Sequence, residues 1–479
     1  MTGVAAPDGD SNVSPEASAS DGAARGPGPR DRPGLFRVGR ALAMRGLGSL
    51  TTLVQNGVLG RTVGPAGLGL FFVWNSWSRV GGNLLAAGLP AYVLRRAAAM
   101  EAAGRVAEAD ALVARARRAV NLLGGGFGMV GAALMAAAAA VGLLHGDAAL
   151  VAAWAFVGAV AFASTRLMAD VLKARGHVDL SLFAEFSLAS VLLVVVVLMV
   201  RLAGGHLSAG AGVALGAATL LAVPVTGWLL LVDRGHPAER ARRPAVAERR
   251  RAAAAVVLDR RSLFHLTMLT ALNILLWTMP FLVLPFVVRA RDVGVFGVAG
   301  RAVAVATLNI VALSSVYAPR FARHSSRGDR RGLRRDAATA VVLSVLCYLP
   351  FLAVFLAVPG RVLAVLGGSG FAAGKSLLVI MAVGQLVNAV TGPCSDFLAM
   401  TGYERWEVAS AATGVVVMLV GLVVLAPSNG IRGGAIAYAG ALAVRNSVSF
   451  ALMLIVLHRP LEPHAVPAPE LVADLPVAP

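Results

Sequence analysis

Apolar residues along this chain gather in long runs separated by short polar or Gly/Pro-rich breaks. A helix crossing roughly 30 Å of hydrocarbon needs about 20 such residues. Twelve runs reach that length: 37–60, 66–94, 118–144, 148–172, 179–201, 207–232, 262–288, 293–318, 336–357, 374–400, 406–427 and 433–457. Breakers fall between them at Gly64-Pro65, His145-Gly146-Asp147, Gly204-Gly205, Pro359-Gly360 and Pro427-Ser428-Asn429-Gly430, where turn chemistry is expected. The pattern predicts an all-α integral membrane protein of about 12 transmembrane helices.

Three stretches lack such runs. Residues 1–34 and 459–479 are rich in Pro, Ala and small polar residues. They cannot bury enough surface to fold, so each is expected to be a disordered tail. Residues 234–261 hold nine arginines and divide the chain into six spans at 35–233 and six at 262–458. Six is even, so both halves insert the same way and are expected to form two six-helix lobes, parallel repeats related by an axis along the membrane normal. A short internal match supports this. Gly69-Leu70-Phe71-Phe72-Val73 opens the second span and Gly294-Val295-Phe296-Gly297-Val298 opens the eighth, each followed by an intramembrane arginine, Arg79 or Arg301.

Composition agrees with the pattern: 57% of residues are hydrophobic and 14% charged, against about 25% charged in soluble domains. The net charge of +18 would suggest nucleic acid in a soluble chain. Here the cations crowd into alternate loops. With the N-terminus inside, the cytoplasmic set holds 31 Lys and Arg and the opposite set seven. Cationic loops stay in the cytoplasm, so both termini are expected inside, with membrane lipids rather than nucleic acid as the basic loops' partner. The two cysteines, Cys347 and Cys394, both lie in apolar runs, which leaves no disulfide framework or Cys-based zinc site.

Five cations remain inside spans: Arg45, Arg79, Arg166, Arg301 and Arg445. A charge at the bilayer centre costs about 2.5–3.5 kcal/mol on insertion scales, so such residues face a bundle interior or a wet cavity. Their companions follow helical spacing. Arg45, Ser49, Thr52 and Asn56 form one stripe, Asn75, Arg79 and Asn83 a second, and Tyr438, Arg445 and Ser449 a third. Such stripes serve either a cationic, hydrogen-bonding cavity or interhelical glue. Arg166 has Asp170 four residues on, the spacing of an intrahelical ion pair. Glu185 and Asp396 are the other carboxylates noted within spans, as candidate proton or cation sites. The chain has no GxxxxGK[ST] phosphate loop, and His145, His177, His206, His265 and His324 lack metal spacing. Neither enzyme activity, cofactor nor metal is expected.

Several short motifs, in order and at matching span positions, carry a resemblance. Leu59-Gly60-Arg61-Thr62-Val63-Gly64-Pro65-Ala66-Gly67-Leu68-Gly69-Leu70-Phe71 is similar to the "R-x-L-G-P-x-x-x-G" turn between the first two spans of polysaccharide and O-antigen flippases. These belong to the multidrug/oligosaccharidyl-lipid/polysaccharide (MOP) flippase superfamily, with its MATE-like fold. Leu172-Lys173-Ala174-Arg175-Gly176 resembles that family's "LRARG", and Val293-Gly294-Val295-Phe296-Gly297-Val298-Ala299 its "VGxYxxA". Gly370-Phe371-Ala372-Ala373-Gly374 and Met400-Thr401-Gly402 recur around the tenth span. The resemblance covers about residues 35–457.

It implies a flippase of the bacterial plasma membrane that moves a polyprenyl-diphosphate-linked oligosaccharide outward for cell-surface polysaccharide biosynthesis. Alternating access between two lobes would carry the substrate, with a glycan polymerase or glycosyltransferases as working partners. Arginine forks suit a diphosphate. The substrate-binding set expected on this reading is Arg45, Arg79, Arg301, Arg445, Asn56, Asn75 and Asn83. The alternative is a cation-coupled multidrug or metabolite exporter of the same fold. Multidrug members typically place a carboxylate in the first span, and this chain has none there.

The loop asymmetry makes a direct prediction. A reporter active only in the cytoplasm works when fused after Arg250, and activity of an export-dependent reporter at that position overturns the topology.

Overall fold

The computed structural model describes residues 32–140, 146–232 and 260–458. The calls on the two tails and most of the basic linker therefore lie outside the described residues, as does the break at 141–145. Every regular element described is helical. In the first half these are α1 (Arg32–Ala86), α2 (Leu89–Ala102), α3 (Val106–Ala140), α4 (Gly146–Ala174), α5 (Val178–Phe183), α6 (Ala189–Leu202) and α7 (Ala209–Thr226). One π turn, Ala184–Leu188, joins α5 to α6, and another, Gly227–Val232, ends α7. The second half has α8 (Arg260–Val283), α9 (Ala290–Ala306), α10 (Leu308–Ser326), α11 (Arg330–Ala357), α12 (Pro359–Gly367), α13 (Lys375–Thr391), α14 (Cys394–Met400) and α15 (Glu404–His458).

Nine helical stretches among the described residues are long and apolar enough to cross a membrane. Two of them are double. α1 bends at Gly64 (φ 72°, ψ 179°), immediately before Pro65, and α15 bends at Gly430 (φ 56°, ψ −140°). Glycine takes positive φ without a Cβ penalty, so each bend folds one continuous helix into two. Counting these as four and adding the shorter apolar helix Thr270–Phe286 gives twelve. Large apolar side chains face outward along these helices, among them Leu122, Met129, Met199 and Val365. On a soluble protein so broad an apolar surface would aggregate; in a bilayer it meets lipid.

Some boundaries differ from the hydropathy reading. The second span stops at Ala86, not residue 94, because Ala87 and Gly88 both take positive φ and Pro90 starts α2 afresh. The third begins near Val106, well before residue 118. The tenth is broken at Gly392 (φ 63°) and Pro393 into α13 and α14.

Packing distinguishes the two ends of the molecule. One core joins both halves, with Leu59, Phe72, Trp74 and Val213 from the first and Phe296, Phe371, Met418 and Leu442 from the second. It lies at the end where Gly64 and Gly430 bend. At the opposite end, where the 87–105 and 327–329 turns lie, each half has its own core. Leu89, Leu112, Leu172 and Trp228 form one, and Phe321, Leu333, Phe397 and Val456 the other.

The joined end depends on one close crossing of α1 with α9. A Cβ on Gly69 would overlap the Ala290 carbonyl oxygen, and one on Gly294 would overlap that of Pro65. The two backbones touch because neither residue has a side chain, the small-residue device by which membrane helices approach closely. These are the opening glycines of the internal repeat. Around them runs an aromatic series across the two halves. Phe72 and Phe281 centroids are 5.5 Å apart, Phe281 and Phe296 5.6 Å, and Phe296 and Tyr438 6.1 Å, within the range where rings attract.

Overpacking a tight contact costs about 1–3 kcal/mol or more. Gly294→Leu is therefore expected to lower thermal stability in detergent sharply, whereas Gly126→Ala, with open space at its Cβ position, leaves it unchanged or slightly raised. Equal melting temperatures for the two variants would contradict the crossing.

Candidate functional site

Beneath the joined core and toward the separated end lies a cleft of about 280 Å³. Its floor is Phe71, Phe72 and Trp74, and Trp74 Nε1 donates to the Trp154 carbonyl at 2.9 Å, tying α1 to α4. Up its wall stand Ser49, Thr52 and Asn56 of α1, Thr165 and Arg166 of α4, Glu185 of the π turn, and Thr219 of α7. Arg301 of α9 enters from the other half. A second cleft of about 320 Å³, lined by Asn273, Trp277, Phe296 and Tyr438, adjoins it, and Asn75, Arg79, Arg301 and Ala304 line both. Arg79 and Arg301 thus stand at the junction of a space in each half.

Neither of these guanidinium groups forms an ion pair among the described residues. Arg79 Nε is 3.4 Å from Asn75 Oδ1, a long contact, and its guanidinium lies 5.5 Å from the Phe162 ring centre. Arg301 lies 5.9 Å from the Phe72 ring centre. Aromatic faces attract a cation without neutralising it. The polar groups nearby are also underused. The Asn56 amide nitrogen and the Thr165 hydroxyl, both buried, have no hydrogen-bond partner. A buried polar atom without a partner costs about 1–3 kcal/mol, which a ligand in the cleft would recover.

A third space of about 350 Å³ is lined by apolar side chains and by Arg361. It runs between Leu53 of α1, Ala302 and Val305 of α9, Phe351 and Phe355 of α11, and Val362 and Val365 of α12, and shares Leu53 and Val305 with the first cleft. A largely apolar chamber therefore abuts the cationic one.

Four of the seven expected residues, Arg79, Arg301, Asn56 and Asn75, line this site. Of the other three, one lies outside what the structure describes and two stand away from these clefts. Arg45 lies on α1, but its side chain is outside the described residues. Asn83, the third member of its stripe, is buried and lines neither cleft. Arg445 lines neither cleft: Nη2 donates to Glu407 Oε1 at 2.8 Å, and the Ser449 hydroxyl donates to Glu407 Oε2 at 3.1 Å. Glu407 is the residue that sequence reasoning missed. It sits at the very start of the eleventh span, where a carboxylate passes for a loop residue, while its partner lies 38 positions away.

Arg166 also differs from expectation. Its Nε is 3.9 Å from Asp170, and its close partner is instead Glu185, to which Nη1 donates. Lys173 Nζ bridges Glu185 and Asp170 at 2.8 Å each. Hydropathy reads each helix alone, so a pair between α4 and the π turn is invisible to it.

No protein-family model matches the sequence, and no curated protein matches it. Among solved structures, 27 chains match. One is described as the inward-facing conformation of a multidrug resistance MATE family transporter of the MOP superfamily. It is 15% identical, with a TM-score of 0.64, and the match covers 88% of this chain and 98% of that one. Another, from Pyrococcus furiosus, is a MOP superfamily transporter whose reverse polarity of the binding pocket suggests a different function. It is 15% identical over 88% and 95% of the two chains, with a TM-score of 0.57. The outward-facing conformation of a multidrug resistance MATE family transporter scores 0.56 over the same shares at 15% identity. The fold is therefore that of MATE and MOP superfamily transporters.

Removing one member of a buried ion pair costs on the order of 3–5 kcal/mol, because the other charge is stranded. Arg445→Ala is expected to destabilise the protein by that order in detergent unfolding, and Arg445→Met with Glu407→Met to recover most of the loss. A mild effect of Arg445→Ala would mean that Glu407 does not depend on it.

Proposed function

Proceeding from a transporter fold, we propose that this protein exports an anionic amphiphile across the plasma membrane, of the class of polyprenyl-diphosphate-linked oligosaccharides, for cell-surface polysaccharide synthesis. The observation that supports it most is the pair Arg79 and Arg301, one from each half, lining a shared cleft with no ion pair to either among the described residues. Arg79 is exposed and Arg301 half-buried, and intramembrane charges left unpaired mark a ligand path. Guanidinium forks match phosphate oxygens two at a time. The neighbouring, largely apolar space fits the hydrocarbon of a lipid carrier, which a free anion would not need. Asn56, Asn75 and Thr165 offer hydrogen bonds to the polar headgroup.

In this reading the two halves are lobes that rock about the Gly69–Gly294 crossing. The cleft is open at the separated end, which the loop charges assign to the cytoplasm, and the joined core closes the other side. Pocket polarity is the feature on which the Pyrococcus furiosus relative is said to differ in function, and a positive pocket here argues likewise against cationic drugs. The alternative, a cation-coupled multidrug exporter, needs an available acid in the cleft. Among the described lining residues Glu185 is the one carboxylate, and Arg166 and Lys173 already hold it.

The test is flipping of a prenyl-diphosphate-linked oligosaccharide in sealed proteoliposomes, expressed per folded molecule. Each charge-assisted hydrogen bond is worth about 1.5–3 kcal/mol, so Arg79→Ala and Arg301→Ala should each weaken binding about tenfold to a hundredfold. Lys at either position keeps the charge without the fork and should retain partial activity. Wild-type specific activity in both Ala variants, or efflux of cationic dyes in place of the glycan lipid, would overturn the proposal.

A further inference from the structure

Two charges on the cleft wall, Arg166 and Glu185, and two that pair with them outside its lining, Lys173 and Asp170, form an arrangement that the roles of Arg79 and Arg301 leave unused. Arg166 is 39% exposed, facing the cleft, and donates to Glu185, which is 7% exposed. The second oxygen of Glu185 accepts from Lys173, and Lys173 also donates to Asp170, which is 4% exposed. Glu185 is carried on a single π turn in an otherwise α-helical span, an irregularity frequent at functional sites.

An ordinary buried ion pair resists opening because parting it strands one charge. Here neither carboxylate is left without a partner: if Arg166 turns away, Glu185 keeps its bond from Lys173, which then serves Glu185 and Asp170 alone, one cation for two carboxylates. The exposed member is also the one that can leave, and Thr165, its neighbour in sequence, presents an unpartnered buried hydroxyl to the same cleft. A simple staple between α4 and the π turn needs only one cation for Glu185; two are present.

We propose that Arg166 is a third, releasable ligand for the substrate anion, a reading that rests on the anionic cleft argued above. Glu185 holds Arg166 while the cleft is empty. When a diphosphate sits beside Arg79 and Arg301, Arg166 moves onto its oxygens and Glu185 keeps only its bond from Lys173. The empty cleft thus presents two unpaired guanidinium groups rather than three, and the third is supplied only when an anion arrives.

The experiment is titration of the purified full chain in detergent with farnesyl diphosphate and, separately, inorganic pyrophosphate. Arg166→Gln should weaken binding about tenfold, the loss of one charge-assisted bond. Glu185→Gln, which frees Arg166, should tighten it about threefold to tenfold. Lys173→Gln should weaken it like Arg166→Gln, although Lys173 lines neither cleft, because Glu185 then keeps Arg166 for itself. Unchanged affinity in Glu185→Gln and Lys173→Gln, with Arg79→Ala still weakening binding, overturns the release and leaves the anionic cleft standing. Failure of the wild-type protein to bind either probe overturns both. If Lys173→Gln does not fold, the sign of the Glu185→Gln change decides alone: tighter supports the release, unchanged or weaker overturns it. Stronger binding of farnesyl diphosphate than of pyrophosphate assigns the three arginines to a lipid headgroup, and equal binding assigns them to diphosphate in general; either supports the release when the variant pattern holds.

Discussion

Where α1 crosses α9, Gly69 and Gly294 allow backbone to lie on backbone, and this contact fixes the relation between the halves. Arg79 is a little under three turns beyond the first glycine and Arg301 about two turns beyond the second. The crossing therefore sets both arginines on the side facing the separated end, about 4.5 Å apart in depth at 1.5 Å per residue. A larger residue at either glycine would separate the helices, open the aromatic series through Phe72, Phe281 and Phe296, and part the arginines that line the common junction.

The charges sort by whether they are answered. Arg445 is neutralised by Glu407 within a buried cluster that includes Ser410 and Ser449, an arrangement that holds the two arms of α15 together. Arg166 is answered by Glu185, but Glu185 is also held by Lys173. Arg79 and Arg301 have no carboxylate partner among the described residues. In a low-dielectric surrounding this gradation matters, because a paired charge is structural and an unpaired one retains its full attraction for an incoming anion. The functional reading follows from that difference rather than from the number of arginines in the spans.

Joined and separated ends complete the picture. A single core across both halves at one end, and two independent cores at the other, make a body that can open at the separated end without breaking either half's own packing. Opening at the joined end would have to part the shared core, and with it the bond from Arg61 to the Val365 carbonyl at 2.6 Å that links α1 to α12.

The sequence by itself determined the twelve spans, the bends at Gly64 and Gly430, the intramembrane arginines and the paired glycine motifs. These are one-dimensional properties: burial in lipid is a sum over consecutive residues, and a turn is written in its own Gly and Pro. Tertiary structure decided which charges are answered. Arg445 carried the same signal as Arg79 and Arg301 along the chain, and Arg166 differed only by Asp170 four residues on; the close partners that set them apart, Glu407 and Glu185, lie on other helical segments. It also decided that Asn83 is buried away from the clefts while Asn75 lines both, and that the two motif glycines meet each other. Such pairings depend on how helices cross, which the periodicity of a single helix does not encode.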